Sequence, residues 1–476
     1  MNKKLIRMSS LCWNCLRRGF FQYAYQSSAR CISKKHQSRL CVLIRNFKLL
    51  YAEEKHPMKY SYTTKLFSTD ASTLVKTGMR DNGTEPSVSI EDDGRKLYVN
   101  MNHGKSLKFH SVWLRFNCHC PVCKQEHSGQ KLVDVADVNT DTVVTAAQIV
   151  NNGKTLKLQW SDHAGEIPFQ FLQQNSYSDK ERRREKFSWI NNKNLPIMTY
   201  SEMVKSKSGV LQWLRDINDS GLCLLTNVPI EDKMVAKVAE EIAPVQNTIY
   251  GTVFEVKSVP NPINVAYSSA KLDFHMDLVY YESPPGIQFL HCVQFDKCVE
   301  GGESLFLDVF HVAELFRDHY PDEFRTLTRI PASFQKIHYK RDNPVHMKYQ
   351  RPHIVLNNND EIVGVNWAPA FEGPLSVPSD DVIPYYKAYH KFAEAIEYSP
   401  EIIEMKLEPG DLVSFNNRRI LHGRKEIKLN GGVRNLQGCY VNIDEFKSRI
   451  NVLSTLTGDQ KPVKNVGNQC WTMVSM

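Results

Sequence analysis

A His-x-Asp sequence and one distant histidine most strongly constrain how this chain can fold. His275 and Asp277 are one residue apart, and His422 follows Asp277 after 145 residues. Two histidines and one carboxylate are the smallest protein ligand set for a facial iron(II) site, which leaves positions open for oxygen and an organic co-substrate. A core histidine beside a surface aspartate gives the same short pattern. If all three residues bind one ion, segments remote in the sequence must lie side by side, as in a jelly roll.

The positive charge of the chain is confined to its beginning. The formal net charge is +8, but the first 52 of the 476 residues contain eleven basic and no acidic residues, leaving 49 basic against 52 acidic residues beyond them. A near-neutral body lacks the basic surface of a nucleic-acid-binding protein. No run of 18 apolar residues occurs, so the sequence predicts no membrane-spanning helix.

The acid-free leader at 1–52 contains arginine, serine and scattered aromatic residues, which is typical of a mitochondrial transit peptide. A disordered basic tail on a cytoplasmic protein is the alternative. The chain has twelve cysteines without disulfide-framework spacing, which indicates a reduced, intracellular protein. In such a protein a tight cysteine cluster points to a metal site before a disulfide.

The chain is long enough for more than one domain, and its pattern changes along its length. We predict a linker at 53–95, a small β-rich domain at 96–185 that ends in a charged connector, a large domain at 197–455 and a tail at 456–476. In the large domain, many short strands alternate with a few helices, predicted near 203–218, 311–328 and 381–397. This pattern favours a mainly β fold, with a double-sheet core and helices packed outside.

Several residues complete the candidate iron site. His275 and Asp277 would face the same way on a strand, since alternate side chains share a side. An oxygenase that uses a 2-oxo acid also needs a cation for the far carboxylate of that acid. Arg434, just ahead of a predicted strand at 438–441, can form a two-pronged salt bridge there. Arg424 is the competing candidate, and a surface arginine is the alternative for Arg434.

Three cysteines within six residues, Cys118, Cys120 and Cys123, indicate a second metal site, and thiolates favour zinc. His163 is our first choice for the fourth ligand. His119 and His127 are nearer in the sequence, but a tight loop would hinder them from closing a tetrahedron. A closed site with three cysteines and one histidine is structural, because no position remains for a substrate.

Aromatic residues lie on both sides of the candidate iron motif in the sequence: Tyr250, Phe254, Tyr267 and Tyr440. Their ring faces would attract a quaternary ammonium group by cation–π interaction. Core packing is the alternative, since strands are rich in tyrosine and phenylalanine.

Together these residues resemble the γ-butyrobetaine dioxygenase family, which includes trimethyllysine dioxygenase. The resemblance covers about residues 96–455. It is carried by ordered blocks: WLRFNCHCPVC at 113–123, NVAY at 264–267 through His-Met-Asp at 275–277, PPGIQFLHC at 284–292, GGES at 301–304, NRRILHGR at 417–424 and RNLQGCY at 434–440.

The resemblance implies a double-stranded β-helix (jelly-roll) catalytic domain and a small zinc-binding N-terminal domain, usually in a homodimer. It also implies dependence on Fe(II), 2-oxoglutarate and ascorbate. The implied site residues fall into five groups: iron at His275, Asp277 and His422; 2-oxoglutarate at Arg434, Asn264 and Leu290; zinc at Cys118, Cys120, Cys123 and His163; a trimethylammonium cage of Tyr250, Phe254, Tyr267 and Tyr440; and the substrate carboxylate near Asn366.

Three positions depart from the pattern of the family. Phe254 stands where tryptophan is expected, Leu278 where an aromatic residue is common, and Asn416 where aspartate is usual. These changes make the substrate the least determined feature of the site.

The resemblance implies hydroxylation of γ-butyrobetaine to L-carnitine, the closing step of carnitine synthesis, with succinate and CO2 as co-products. Hydroxylation of trimethyllysine is the nearest alternative, and a mitochondrial leader would suit it. A non-catalytic, zinc-stabilised binding module is an alternative of another class. Its marker would be the loss of a His-Asp-His ligand, and all three are present.

Overall fold

The structure is a computed structural model that describes residues 86–100, 106–177, 190, 194–257, 268–357 and 360–459. The predicted leader, most of the predicted linker and the charged connector lie outside these residues, as do Asn264, Tyr267 and nearly all of the predicted tail. No helix in the described ranges is long and apolar enough to cross a membrane.

The N-terminal domain consists, in its described part, of two three-stranded antiparallel sheets and two short helices. Its elements are β1 Ser87–Glu91, β2 Lys96–Asn100, β3 Ser106–His110, α1 Ser111–Phe116, β4 Val144–Val150, β5 Thr155–Trp160, β6 Ala164–Pro168 and α2 Phe169–Gln174. Leu97, Phe109 and Trp160 are buried in its core. Strand β1, which lies ahead of the predicted boundary at Lys96, pairs with β2 over its whole length.

The large domain contains the remaining strands of the described chain. They are β7 Ile197–Thr199, β8 Leu222–Thr226, β9 Phe254–Lys257, β10 Leu272–His275, β11 Ile287–Phe295, β12 Glu300–Gly301, β13 Ser304–Asp308, β14 Pro331–His338, β15 Val345–Pro352, β16 Ile354–Leu356, β17 Ile362–Val365, β18 Ile403–Met405, β19 Leu412–Asn416, β20 Ile420–Arg424, β21 Ile427–Lys428 and β22 Arg434–Val441. Its helices are α3 Tyr200–Val204, α4 Lys207–Ser220, α5 Met234–Glu240, α6 Val309–His319, α7 Pro321–Arg329, α8 Ser379–Glu397 and α9 Ile443–Thr457.

Two sheets form the body of the large domain. The major sheet has six strands in the order β7-β8-β19-β11-β22-β9, and the minor sheet has four in the order β10-β20-β13-β18. Neighbouring strands are often remote in the sequence, as in a jelly roll. The sheets pack face to face, since Phe306 of β13 contacts Phe415 of β19 with ring centroids 5.4 Å apart. The predicted mainly β fold with flanking helices is confirmed.

Strand β11 shows how the major sheet is buried on both faces. Leu290 points into the core between the sheets, whereas Ile287 and Phe289 point outward into a second core formed with helices α4, α5 and α9. The indole N–H of Trp213 on α4 donates to the hydroxyl of Ser414 across this outer interface (3.0 Å). Burial of both faces explains why the strand sequences are nearly continuous apolar runs.

Two predicted helices are each divided in the structure. The pattern at 311–328 corresponds to α6 and α7, because Pro321 lacks an N–H to continue α6 and instead begins α7. The pattern at 203–218 corresponds to α3 and α4, because the hydroxyl of Ser206 accepts a hydrogen bond from the N–H of Gly209 and starts a new helix.

Candidate active site

A cavity lies between the two sheets of the large domain. Strands β9, β11 and β22 of the major sheet line one side, and β10, β13 and β20 of the minor sheet line the other. The lining residues are Tyr250, Phe254, Val256, Leu272, His275, Asp277, Gln288, Leu290, Ser304, His422, Gly423, Arg424, Arg434, Leu436 and Tyr440.

His275 and His422 are direct neighbours on two paired strands. His275 ends β10 and is the register partner of His422 on β20, and their ring centroids are 4.2 Å apart. Gly423 permits this close pairing, because a Cβ atom at that position would lie 2.7 Å from the carbonyl oxygen of Leu272 on β10. The glycine of the His-Gly-Arg sequence therefore allows β10 and β20, which carry His275 and His422, to pair closely.

Asp277 lies in a turn just beyond β10 and not on the strand, so the predicted strand alternation is not what brings it to His275. The turn requires a φ of 56° at Leu278, a left-handed conformation that is costly for leucine. The N–H of Met276 donates to the carbonyl of Trp367 (2.8 Å) and holds the chain at the start of the turn.

The side chain of Asn417 holds the backbone of Asp277, the next residue of this turn. Its Oδ1 accepts a hydrogen bond from the N–H of Asp277 (2.8 Å), and its Nδ2 donates to the carbonyl of Asp277 (3.0 Å). Nδ2 also lies 3.3 Å from the carbonyl oxygen of Pro285. Asn417 is fully buried, so these bonds are shielded from water and orient the turn.

The carboxylate of Asp277 points toward the two histidines. Oδ1 is 3.6 Å from Nε2 of His275, and Oδ2 is 3.8 Å from Nε2 of His422. Oδ2 also accepts hydrogen bonds from the hydroxyl of Tyr440 (2.7 Å) and from Nε2 of Gln288 (2.8 Å).

The protonation of the three side chains favours a cation between them. Nδ1 of His275 donates to the carbonyl of Asp273 (2.8 Å), which leaves Nε2 facing the other two ligands. Burial works against ionisation of Asp277, but the interaction with the adjacent imidazole of His275 holds its pKa well below the usual range. Burial lowers the pKa of His422 to about 3, so this imidazole is neutral and has a lone pair to offer.

The three side chains fit a metal ion. One donor atom each from His275, Asp277 and His422 lies within 4.8 Å of the others. Burial opposes protonation of His275, yet its interaction with Asp277 raises its pKa. Two imidazoles and one carboxylate with an adjoining cavity suit iron(II) with open positions.

The two candidate arginines differ in what they contact. Nη2 of Arg424 donates to the carbonyls of Ser268 (2.8 Å) and Ala270 (2.6 Å), so this guanidinium is engaged by the backbone. Arg434 is only 3% exposed, and its buried Nε has no hydrogen-bond partner among the described residues. Burial and the charge of Arg424 lower the pKa of Arg434 to about 10, so it remains cationic at neutral pH. Arg434 begins β22 and was predicted just ahead of a strand.

Of the two remaining predicted contacts that the structure describes, Leu290 and Asn366, only one lies at the cavity. Leu290 lines the cavity. Asn366 does not line it: its Nδ2 donates to the carbonyl of Pro352 (2.7 Å), and its own carbonyl lies 2.8 Å from Nδ1 of His353. The described contacts therefore do not bring Asn366 to the substrate cavity.

Three of the predicted cage residues meet at the cavity wall. Phe254 stacks on Tyr440 with ring centroids 5.1 Å apart, and its centroid is 5.9 Å from that of Tyr250. The absence of a side chain at Gly438 makes room for Phe254, because a Cβ there would overlap the end of its ring. The stacking covers one face of Phe254 and one of Tyr440, so each has only its other face to offer.

The second metal cluster lies in the N-terminal domain. Nε2 of His163 is 3.4 Å from Sγ of Cys118, 3.4 Å from Sγ of Cys120 and 3.3 Å from Sγ of Cys123. A tetrahedral zinc with Zn–S near 2.3 Å and Zn–N near 2.0 Å would separate sulfur and nitrogen by about 3.5 Å. His119 contacts the carbonyl of Asn117 instead. The four side chains thus have the spacing of a closed zinc site.

Neighbouring groups support this cluster. Nη1 of Arg115 is 3.5 Å from Sγ of Cys123, and its Nε is 3.2 Å from Oδ2 of Asp162. Burial raises the pKa of the Cys118 thiol to about 12, so a bound cation is needed to hold it as a thiolate. Gly165 leaves room for the cluster, because a Cβ at this position would overlap Sγ of Cys118 and lie 2.9 Å from Nε2 of His163.

Sequence reasoning missed two residues of the candidate active site, Gln288 and Asn417. Gln288 carried a usable signal, since it is a polar residue within the apolar strand pattern of β11 and such residues need a partner when buried. Asn417 gave no comparable signal, because a turn asparagine is common and its contact with Asp277 depends on the tertiary fold.

Comparison with known proteins agrees with this geometry. Residues 193–440 match the model described as "Taurine catabolism dioxygenase TauD, TfdA family", and residues 88–165 match "Gamma-butyrobetaine hydroxylase-like, N-terminal". The fold and the His-Asp-His cavity with its buried arginine define a 2-oxoglutarate-dependent dioxygenase.

Individual relatives show which members of this family the chain resembles. The chain is 32% identical to a γ-butyrobetaine dioxygenase from Pseudomonas sp. (strain AK-1), over 77% of this chain and 96% of the relative. It is 28% identical to the Homo sapiens γ-butyrobetaine dioxygenase, over 72% and 90%. It is also 28% identical to "Trimethyllysine dioxygenase, mitochondrial" from Bos taurus, over 73% and 83%. The chain belongs to the TauD/TfdA family, among the γ-butyrobetaine and trimethyllysine dioxygenases.

Proposed function

We propose that this protein hydroxylates γ-butyrobetaine to L-carnitine and releases succinate and CO2. The observation that carries the proposal is Arg434, a buried cation without an ion-pair partner among the described residues, which lines the same cavity as the His-Asp-His cluster. Such a guanidinium suits the far carboxylate of 2-oxoglutarate. Similarity to γ-butyrobetaine dioxygenase of Pseudomonas, at 32% identity, favours γ-butyrobetaine as the substrate.

His275, Asp277 and His422 would hold Fe(II), which, together with 2-oxoglutarate and oxygen, supplies the oxidising power for hydroxylating an unactivated C–H bond. The protein positions the metal ligands and the reactants. Asp273 fixes the tautomer of His275, and Arg434 orients 2-oxoglutarate while Leu290 packs beside it. The enclosing sheets limit the access of water, so the substrate is held close to the reacting centre.

The aromatic wall would bind the trimethylammonium group of the substrate. A quaternary ammonium over an aromatic face gains about 0.5–2 kcal/mol. Tyr250, Phe254 and Tyr440 are the aromatic contacts that the described residues supply, since all three line the cavity. Tyr267 and Asn264 remain predictions from the sequence. Asn366 is left out of the proposed contacts because its amide donates to the carbonyl of Pro352 and it does not line the cavity.

The N-terminal cluster of Cys118, Cys120, Cys123 and His163 would bind a structural zinc ion. Its four donors fill a tetrahedron and leave no position for a substrate. Ascorbate dependence and a homodimeric state are further expectations of the proposal, in line with the family resemblance.

Trimethyllysine is the second candidate substrate. The acid-free leader favours it, because the trimethyllysine dioxygenases of Bos taurus, Rattus norvegicus and Gallus gallus carry the word mitochondrial in their names. We therefore also propose a mitochondrial location for either activity.

One assay separates the candidates. Purified protein with Fe(II), 2-oxoglutarate and ascorbate is offered γ-butyrobetaine or trimethyllysine separately, and succinate and hydroxylated product are measured. The proposal expects turnover with γ-butyrobetaine. Succinate formation with trimethyllysine alone would overturn the assignment of γ-butyrobetaine as the substrate. No turnover with either compound at full iron occupancy would overturn the enzymatic proposal.

A further inference from the structure

We infer that Gln288 is a positioning residue that determines which oxygen of Asp277 is free to bind the metal ion. The inference rests on the proposed iron site and adds a residue to it that does not itself bind the ion.

The position of Gln288 follows from the register of the major sheet. It lies on β11, paired with Phe415 of β19 on one side and with Tyr440 of β22 on the other. Gln288 and Tyr440 are therefore direct cross-strand neighbours whose side chains face the cavity together. Both donate to the same atom, Oδ2 of Asp277, at 2.8 and 2.7 Å.

The orientation of the Gln288 amide is fixed by chemistry. An ionised carboxylate only accepts hydrogen bonds, so the NH2 group of the amide must face Asp277. The carbonyl Oε1 is then directed elsewhere, and it is buried without a partner among the described residues. Burying an acceptor in this way costs about 1–3 kcal/mol. The hydrogen bond from the same amide to the Asp277 carboxylate offsets this cost.

The consequence concerns the number of donor atoms offered by the protein. Two donors engage Oδ2, whereas Oδ1 lies beside Nε2 of His275 at 3.6 Å. An aspartate held in this way offers one oxygen to an ion, so the protein supplies three donors in total. Positions then remain open for a chelating 2-oxo acid and for oxygen. Gln288 thereby helps to keep open the coordination positions that the proposed reaction needs.

The test compares Gln288→Met with Gln294→Met. Methionine has a similar length and no N–H donor. Gln294 is a matched control because it lies on the same strand but is exposed, and its Nε2 donates to Asp296 (3.0 Å). The probe is Mn(II), which prefers oxygen and nitrogen ligands to the thiolates of the N-terminal cluster. Free and bound Mn(II) are measured by electron paramagnetic resonance, with His275→Ala identifying the site.

Loss of a side chain that orients a metal ligand typically weakens metal affinity by about 10- to 100-fold. We expect this range for Gln288→Met and no change for Gln294→Met. The melting temperature of the metal-free protein should hardly change, because the variant also removes an unpartnered acceptor. The rise in melting temperature on adding Mn(II) should become smaller.

An Mn(II) affinity of Gln288→Met within about twofold of the natural protein would overturn the inference, as would equal weakening in Gln294→Met or full binding by His275→Ala. If Gln288→Met does not fold, Tyr440→Phe removes the other donor to Oδ2, and unchanged affinity in that variant has the same meaning. Binding requires no turnover. A protein that releases no succinate but loses Mn(II) affinity in Gln288→Met would contradict the proposed reaction and leave the role of Gln288 intact.

Discussion

The side-chain amide of Asn417 bridges the N–H and the C=O of Asp277, although the two residues are 140 positions apart. The amide pairs with the backbone of Asp277 as a neighbouring β-strand would, because it offers one acceptor and one donor in the same plane. The strained turn at Leu278 persists because this contact and the bond from Met276 to Trp367 hold both its sides.

Replacing Asn417 by aspartate should destabilise the large domain. Asn417→Asp keeps an acceptor for the N–H of Asp277 but removes the donor to the carbonyls of Asp277 and Pro285, and it introduces a buried charge. We expect the free energy of unfolding to fall by about 2–4 kcal/mol. Urea denaturation measures it, with Asn100→Asp on the exposed end of β2 as control. Equal stability of the two variants would contradict the bridging role.

Replacing Gly423 by alanine should separate the two histidine strands. The new Cβ would lie 2.7 Å from the carbonyl oxygen of Leu272, so β10 must move away from β20 and carry His275 with it. We expect a loss of iron(II) affinity and of turnover by at least about tenfold. Gly364→Ala is the matched control, because its Cβ would make ordinary contacts at 3.9 Å with Val355. Similar activity in both variants would argue against the close pairing.

The zinc cluster should be equally intolerant of a side chain at Gly165. A Cβ there would occupy the space of Sγ of Cys118, so Gly165→Ala should release zinc and lower the folded yield of the N-terminal domain. Metal analysis of the purified variant gives the zinc content per chain. Full zinc content together with an unchanged melting temperature would show that the four donors do not form the closed site.

Acid should destabilise the fold in part through His291. This histidine is fully buried, and neither ring nitrogen has a hydrogen-bond partner among the described residues. Burial lowers its pKa to about 4 in the folded protein, against about 6.5 in the unfolded chain. Between these values the unfolded state binds more protons, so the free energy of unfolding falls as pH drops from about 6.5 to 4.

His291→Leu removes this proton linkage. Relative to the natural protein, the variant should gain about 2 kcal/mol of stability as pH falls from 7.5 to 4.5. Urea unfolding at several pH values gives the comparison. Stability curves that stay parallel throughout this range would show that His291 does not take up a proton on unfolding.

Local sequence patterns predicted most of what depends on residue type. The apolar run at 287–292 predicted a buried strand, and the paired metal-ligand types at His275, Asp277 and His422 predicted residues that the fold brings together. The spacing of the cysteines likewise predicted a compact cluster, which His163 joins from a hairpin between β5 and β6.

Tertiary contacts decided what the patterns did not predict. Asp277 reaches the histidines through a turn held by Asn417, a residue whose partner is 140 positions away. The side-chain amide of Asn366 donates to the carbonyl of Pro352, and Asn366 does not line the cavity. The choice between Arg424 and Arg434 also required the fold, because both are buried and they differ in their contacts: Arg424 donates to the carbonyls of Ser268 and Ala270, whereas Nε of Arg434 has no partner among the described residues.

Arg434 is the proposed anchor for the co-substrate of a metal centre formed by His275, Asp277 and His422. The most direct test is an anaerobic titration of the Fe(II)-loaded protein with 2-oxoglutarate, followed by the visible charge-transfer absorption of the complex. Arg434→Met should weaken binding by about 30-fold or more, the loss expected when one partner of a buried charge pair is removed. Arg424→Met should weaken it much less.

The same titration with 2-oxobutyrate, which lacks the far carboxylate, should give equal affinities for the natural protein and Arg434→Met. This pattern would place the far carboxylate at Arg434. Unchanged 2-oxoglutarate affinity in Arg434→Met, or an equal loss in Arg424→Met, would contradict the assignment of Arg434 as the anchor.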